Sequence, residues 1–424
     1  MPDDDRAPVL AFPQAPDAIE LRHLRAFVAV AEELNFGRAA DRLHLSQSAL
    51  SRQVRGLEQL LGCDLLRRSS HSVELTIAGE ALLDRARRLL TDVDEAVSVT
   101  LSIGGELAGR LTQLWAPLFA VASADGGLQA QRNAYEQFHA QFAVPPEVVI
   151  TPVNAGGVPS FELTANPDAL PTLLYLHGGG HVMGSAFGHK PLMGALAVAA
   201  GARILAPEFR LAPEHPFPAD LDDARRAYQW MLDSGTPAEQ VVLAGDSAGC
   251  GLVMSLLLSL KQQDLPLPGG ALLFCPWVDL NSTVLSSLAA TDEQVALLLE
   301  QVRGYVGAYL AGHPSDDPII SPLTADLSGL PPLLIQAATG DPQREDAHRL
   351  AERAHAHGVE ARLELYPVDT HAFQTFWSFL PEAIEGLAQA GRFVREIATR
   401  AGSGAATGLS QSPTPRRTRP ATPR

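Results

Sequence analysis

The run Val241-Val242-Leu243-Ala244-Gly245-Asp246-Ser247-Ala248-Gly249-Cys250 decides the fold of most of this chain. Four apolar residues in succession read as a buried strand, and the apolar stretch from Gly249 to Gln262 reads as a helix. Gly245 to Gly249 are then a sharp strand-to-helix turn, the context of a nucleophile elbow. Such a turn strains the backbone of Ser247, and a glycine two places before and two after it lets neighbouring backbone pass close by. A bare Gly-x-Ser-x-Gly is common by chance, and its placement between strand and helix gives it meaning.

Outward from this turn, short apolar runs alternate with helical stretches. The runs are Leu173 to Leu176, Ile204 to Ala206, Val241 to Ala244, Leu272 to Cys275, Leu333 to Ala337 and Leu363 to Tyr366; Leu221 to Leu232 is a helix between two of them. Strands alternating with helices predict a mostly parallel, doubly wound sheet, an α/β core spanning 110–400. Residues 110 to 145 and a mostly helical insertion from about Trp277 to Pro314 fall outside that rhythm and are expected to cover the sheet's C-terminal edge.

Strand ends also supply the other reactive groups. His177-Gly178-Gly179-Gly180 follows the run at Leu173 to Leu176, and glycines leave their N–H groups unshielded. Gly178 and Gly179, with the N–H of Ala248, would surround the oxyanion formed when an ester carbonyl is attacked; a plain Gly-rich turn or an anion nest is the alternative. Ser247 needs a base, and the base an acid to fix its tautomer. Asp341 lies just past Leu333 to Ala337 and His371 just past Leu363 to Tyr366, the order Ser, Asp, His expected of this architecture. Asp346 and Asp369 are the competing acids.

The amino-terminal region has a helical period instead. Leu21, Leu24, Phe27, Val28, Ala31 and Leu34 share one face of an amphipathic helix; Ala39, Ala40 and Leu43 mark a second, and Ser46 is a good N-cap for a third. In the third, Leu50, Val54, Leu57 and Leu61 form the buried stripe while Ser48, Ser51, Arg52 and Arg55 fall on the other side. Two helices joined by a three-residue turn, with hydroxyl and guanidinium groups on the second, have the geometry of a helix-turn-helix, and Arg and Gln on such a face can read guanine and adenine in the major groove. Residues 64 to 76 read as a hairpin with its tip at Ser69-Ser70-His71-Ser72, a wing. Next, Leu82, Ala86, Leu89, Val93, Ala96 and Thr100 follow a heptad spacing. That stripe either pairs two copies or packs against its own winged helix, and Gly104-Gly105 is expected to close it. The divisions expected are therefore a loose leader at 1–18, a winged helix-turn-helix at 19–77, a linker or dimerisation helix at 78–105, the α/β unit at 110–400 and a disordered basic tail at 401–424.

Charge is divided in the same way. Of a net −16, residues 91–400 hold −19, whereas 19–90, with 11 Arg against 9 acids, hold +2. Any nucleic-acid contact must therefore come from a local surface of the head. Three scattered cysteines exclude a disulfide scaffold, the start lacks a signal peptide's basic and apolar regions, and Leu252 to Leu260 is too short to span a bilayer. A reducing cytoplasm with no membrane association is the expectation.

The carboxyl-terminal three-quarters resembles the hormone-sensitive-lipase family of α/β-hydrolases. The residues that carry it are His177-Gly178-Gly179-Gly180, the stretch Phe209 to Ala219, the Gly-Asp-Ser-Ala-Gly elbow, Asp341-Pro342 and His371-Ala372-Phe373. The resemblance implies carboxylic-ester hydrolysis through an acyl-Ser247 intermediate, a helical cap, and no metal or organic cofactor. His181 stands where the family has Phe or Trp, Phe209 where it has Tyr, and Ala372 where it has Gly; small to medium esters or lactones are the substrates implied. Residues 19 to 100 resemble the DNA-binding head of LysR-type regulators, through Leu21 to Phe27, Phe36 to Ala40, Leu45 to Val54 and Leu75 to Gly79. That likeness implies double-stranded DNA as a partner, with Gln47, Ser48, Arg52 and Arg55 meeting the major groove and residues about 68 to 72 the minor groove or backbone; Ser46, Ser51 and Arg68 complete the expected DNA-binding set, and paired heads on a homodimer or higher homo-oligomer are expected. Ser48 replaces the usual Pro, and His71, Ser72 and Glu74 make the wing less basic. The hydrolase takes the place of the usual effector domain. Three readings follow: an esterase tethered to a DNA-binding regulator, a transcription factor whose hydrolase fold only senses an ester or lactone, and an esterase whose winged helix only dimerises.

Overall fold

A computed structural model describes residues 19–68, 73–122, 127–166, 172–281 and 293–408. The leader 1–18, the wing tip 69–72, part of the 277–314 insertion and the last 16 positions lie outside them, as do the side chains of Ala96 and Thr100 in the proposed seam. The chain divides into two compact units, Met1–Leu107 and Ala108–Arg424.

In the first unit three helices, α1 (Leu21–Glu33), α2 (Phe36–Arg42) and α3 (Gln47–Leu61), bury Leu24, Phe27, Leu50, Val54 and Leu57 in one core. The caps are local chemistry. Asn35 and Ser46 accept from the N–H groups of Arg38 and Ala49, and Gly62 ends α3 in the left-handed region at φ +68°. The outermost members of the expected stripes, Leu21, Leu34 and Leu61, are exposed. Strands β1 (Leu66–Arg68) and β2 (Val73–Leu75) pair antiparallel as the wing's stem.

The helix that follows, α4 (Ile77–Ala122), corrects one expectation: it runs through Gly104-Gly105 to Ala122. Both glycines are exposed with open space around them, and a helical glycine costs about 1 kcal/mol relative to alanine, too little to end a 46-residue helix.

The second unit is built on an eight-stranded sheet of order β10-β9-β8-β7-β5-β6-β4-β3. Six strands are parallel: β5 (Thr172–Leu176), β6 (Arg203–Pro207), β7 (Val241–Asp246), β8 (Gly270–Phe274), β9 (Leu333–Ala338) and β10 (Ala361–Tyr366). They coincide with the six apolar runs. The hairpin of β3 (Val149–Ala155) and β4 (Val158–Thr164) adds an antiparallel edge through β6, and the sequence reading lacks it. Its Pro152, Pro159 and polar residues hide the strand period.

Alternate residues of each parallel strand face opposite layers. Leu174, Leu176, Leu243, Leu273 and Ile335 pack against α7 (Ala219–Asp233), α8 (Ala248–Gln262) and α10 (Arg344–Ala356). Leu173, Tyr175, Val242, Leu272 and Leu334 pack against α6 (Lys190–Ala200) and α11 (Pro381–Gly408). Since α11 continues to Gly408, the tail expected from residue 401 begins as helix. Two further helices, α5 (Gly127–His139) and α9 (Glu293–Leu310), lie at the C-terminal edge, where their side chains join Val182, Ala248 and Trp277 in one apolar cluster. Strand order reverses between β6, β5 and β7, and a crevice at such a switch point is where open α/β sheets bind ligands.

Candidate active site

Ser247 sits between β7 and α8 at φ +51°, ψ −122°, a conformation costly for a residue with a Cβ. Its surroundings fix it there: its N–H donates to the carbonyl of Phe274 on neighbouring β8, and its own carbonyl accepts from the N–H groups of Cys250 and Trp277. A Cβ on Gly249 would lie 2.1 Å from the carbonyl oxygen of Leu176, and one on Gly245 2.8 Å from Gly249, so the two motif glycines are there for close backbone approach.

Asp341 and His371 follow the adjacent strands β9 and β10, and their side chains meet. His371 Nδ1 is 2.7 Å from Asp341 Oδ2. Asp341 is buried, while the imidazole is partly open at 28% of its side-chain surface. Burial pushes the His371 imidazole down, but the charge of Asp341 and the hydrogen bond to it prevail, leaving it above the ordinary histidine value. The other candidate acids have different partners. Asp346 accepts from the N–H groups of Val278 and Asp279, and burial lifts it to about 6; Asp369 lies against Gly340.

Cys275 follows β8, and its sulfur, an Asp341 oxygen and a His371 nitrogen lie within 4.8 Å of one another. Burial, then the charge of Asp341, pushes the Cys275 thiol far up. Within that group the imidazole and the carboxylate are already bonded to each other at 2.7 Å. The sequence reading passed over Cys275, which no spacing marks.

The glycine loop departs from expectation at one residue. The N–H of Gly178 is already given to Asp246 Oδ1 at 3.0 Å, so Gly178 is not an open donor. The buried carboxylate of Asp246 explains this, since it collects donors: Tyr175 Oη gives a second bond at 2.8 Å, and His189 Nε2 stands 3.6 Å from Oδ2, an electrostatic contact longer than a hydrogen bond. Burial alone would raise Asp246, but His189 and Tyr175 outweigh it and hold it below the ordinary carboxylate value. Gly179 turns at φ +121° and Gly180 at φ +64°. Their N–H groups have no acceptor among the described residues, and Ala248 opens α8, whose first N–H groups lack intrahelical partners. A Cβ at Gly179 would lie 2.1 Å from the Met183 carbonyl oxygen. Arg132 of α5 holds the loop's far end, bonding the carbonyls of Val182 and Ala212 and both carboxylate oxygens of Glu214.

Each departure from the hydrolase pattern has a definite place. Phe209 stacks on His177 with ring centroids 4.2 Å apart, Ala372 takes φ +48°, and His181 is buried against Tyr309. On the head, Ser46, Gln47, Ser48, Arg52 and Arg55 are exposed along one side of α3, with Ser51 half-buried beside them. Ser46 is spent on its cap and Arg55 reaches back to Ser51 Oγ at 3.0 Å, whereas Gln47 and Arg52 have no side-chain partner among the described residues. Arg68 differs most from its expected role: it pairs at 2.6 Å with Glu58, a 9% exposed carboxylate that also accepts from the N–H groups of Leu65 and Leu66. A buried carboxylate needs that countercharge, which ties Arg68 to the fold. Among the described residues no helix is long and apolar enough to cross a membrane.

Residues 173–375 match the family described as alpha/beta hydrolase fold, and residues 21–80 that described as bacterial regulatory helix-turn-helix protein, lysR family. The chain is 37% identical over 274 residues to an acetyl-hydrolase of Streptomyces hygroscopicus, covering 64% of this chain and 91% of that protein. An esterase of Acinetobacter venetianus is 32% identical over 269 residues, covering 63% and 89%. A solved esterase of the bacterial hormone-sensitive lipase family aligns with a TM-score of 0.63 at 35% identity, covering 68% of this chain and 98% of that one. This chain accordingly belongs to the hormone-sensitive-lipase type of α/β-hydrolases, carried behind a helix-turn-helix of the LysR family.

Proposed function

We propose that this protein hydrolyses carboxylic esters and places that activity on DNA through its head. The observation that carries the enzyme reading is the 2.7 Å pairing of His371 with buried Asp341, two strands from a strained serine at the strand-to-helix turn. With Nδ1 donating to Asp341, the neutral ring of His371 carries its lone pair on Nε2, the state of a general base. Ser247 Oγ attacks the ester carbonyl while its proton passes to His371 Nε2. The tetrahedral oxyanion is held by the amides of Gly179, Gly180 and Ala248. His371 then returns the proton to the leaving alcohol, and water repeats the sequence on the acyl-Ser247 to release the acid.

The strain at Ser247 and the orphaned amides favour a working enzyme over a pure sensor, because ligand binding alone requires neither. The test compares hydrolysis of p-nitrophenyl butyrate by the wild type and Ser247→Ala. The variant is expected to lose on the order of 10⁶-fold in kcat. If the wild type gives neither turnover nor a phosphonate adduct on Ser247, the sensor reading takes its place.

For the head, exposed Gln47 and Arg52 on α3 support major-groove reading by paired heads, each meeting half of a symmetric site. Fluorescence anisotropy with DNA from upstream of the gene, at two salt concentrations, tests this. Arg52→Ala is expected to weaken specific binding by about 1–3 kcal/mol; equal binding by variant and wild type would leave the head as a dimerisation module.

A further inference from the structure

The residue after the glycine loop, His181, forms a second buried imidazole–carboxylate pair. Its Nδ1 lies 3.1 Å from Asp220 Oδ2, and the two side chains are only 5% and 3% exposed. Asp220 sits in the first turn of α7, where the helix dipole favours a negative charge, and its other oxygen accepts from the N–H of Leu221 at 2.8 Å and from Tyr309 Oη at 3.4 Å. The carboxylate is thus held as an acceptor, and His181 Nδ1 is held as its donor. In the neutral ring the lone pair then falls on Nε2.

The ring's position gives that lone pair a use. His181 stacks on Tyr309 of α9, centroids 3.8 Å apart and planes at 12°, with Trp277 at 6.1 Å. Tyr309 and Trp277 share one apolar cluster with Ala248, the residue after the nucleophile. His181 Nε2 would be 3.8 Å from a Cβ at Gly251, one turn along α8 from Ala248, and it has no hydrogen-bond partner among the described residues. An acceptor nitrogen therefore stands among the aromatic and apolar side chains beside the oxyanion loop, with the Trp277 carbonyl oxygen, 3.1 Å from that same Cβ, as its polar neighbour.

Building on the esterase reading, we propose that His181 Nε2 is a specificity-determining acceptor, and that the preferred substrates are esters bearing a hydroxyl close to the scissile carbonyl. A hydroxyl on the acyl chain or on the alcohol would meet the same nitrogen, and both can be tested on the full chain. In the acyl arm, kcat/KM is measured for p-nitrophenyl 3-hydroxybutyrate, butyrate and 3-methoxybutyrate. In the alcohol arm, 2-hydroxyethyl butyrate is compared with ethyl butyrate. One net hydrogen bond corresponds to a preference of about tenfold for the hydroxylated member of one arm. His181→Phe, which keeps a flat ring for Tyr309, should bring that ratio close to one. The methoxy ester, which accepts but cannot donate, should gain nothing.

Wild-type ratios within twofold of one in both arms overturn the proposal even if the variant does not fold. So does a ratio that survives in His181→Phe, or, where the acyl arm shows the preference, a methoxy ester as good as the hydroxy ester, which would make the ring a donor. If butyrate is hydrolysed but hydroxyl is not preferred, only this inference falls. If no ester is hydrolysed beyond the Ser247→Ala background, the esterase reading fails and this inference with it.

Discussion

At the residue scale the site is a competition for hydrogen-bond partners, and the winners follow from burial. His371 has one strong partner, and the sign of its titration follows. Because Asp341 leaves the imidazole above its usual value, the neutral base form is lost as pH falls through that raised value. The acidic limb of kcat/KM against pH should therefore lie above pH 6.5, and an inflection below that would contradict the pairing. Asp341→Asn removes the charge that raises His371 and should lower kcat by about 10⁴-fold. Arg68 illustrates the same rule in the head. Arg68→Ala leaves buried Glu58 without its countercharge, and a stability loss of about 3 kcal/mol is expected in denaturant melts followed by circular dichroism. An unchanged midpoint would return Arg68 to the set of free DNA contacts.

At the element scale, the unbroken α4 matters most. Its last turns bring Leu111, Leu114 and Trp115 into the cluster that holds Phe138, Phe373 and Phe376. Trp115 stacks on Phe138 at 4.2 Å, and its Nε1–H donates to Thr370 Oγ1 at 2.9 Å, immediately before His371. The part of α4 that belongs to the second unit thus packs against the loop carrying the proposed base. Trp115→Phe keeps an aromatic ring but leaves a buried threonine hydroxyl without its donor. The expected result is a several-fold fall in kcat with the acidic pH limb unmoved, since the bond to Asp341 persists, and a stability loss of about 1 kcal/mol. A variant with unchanged kcat and stability would make the contact incidental.

For the whole molecule, the two units have cores of their own: one apolar core in Met1–Leu107, and the sheet with its flanking layers in Ala108–Arg424. Separate cores predict separate unfolding transitions. The four tryptophans, Trp115, Trp230, Trp277 and Trp377, all lie in the second unit, so they provide a selective probe. In a urea titration, tryptophan fluorescence should follow the body alone, while far-ultraviolet circular dichroism, which sees both units, should show an additional step. Coincident curves would mean that the units unfold as one.

The amino-acid sequence alone determined what depends on near neighbours along the chain. The six parallel strands follow from their apolar runs, the elbow from its two glycines, the caps of α2 and α3 from Asn35 and Ser46, and the separation of a near-neutral head from an acidic body from the order of charges. Asp341 and His371 could be named because strand ends are where this architecture gathers side chains. Only the tertiary structure decided which partner each group takes: that Gly178 gives its N–H to Asp246, that Arg68 serves Glu58, that His181 pairs with Asp220, and that α4 continues past two glycines to pack Trp115 beside Thr370. Such choices join residues tens to hundreds of positions apart, and they are settled by which donors share a buried space with which carboxylate. Local propensity and spacing contain no record of that.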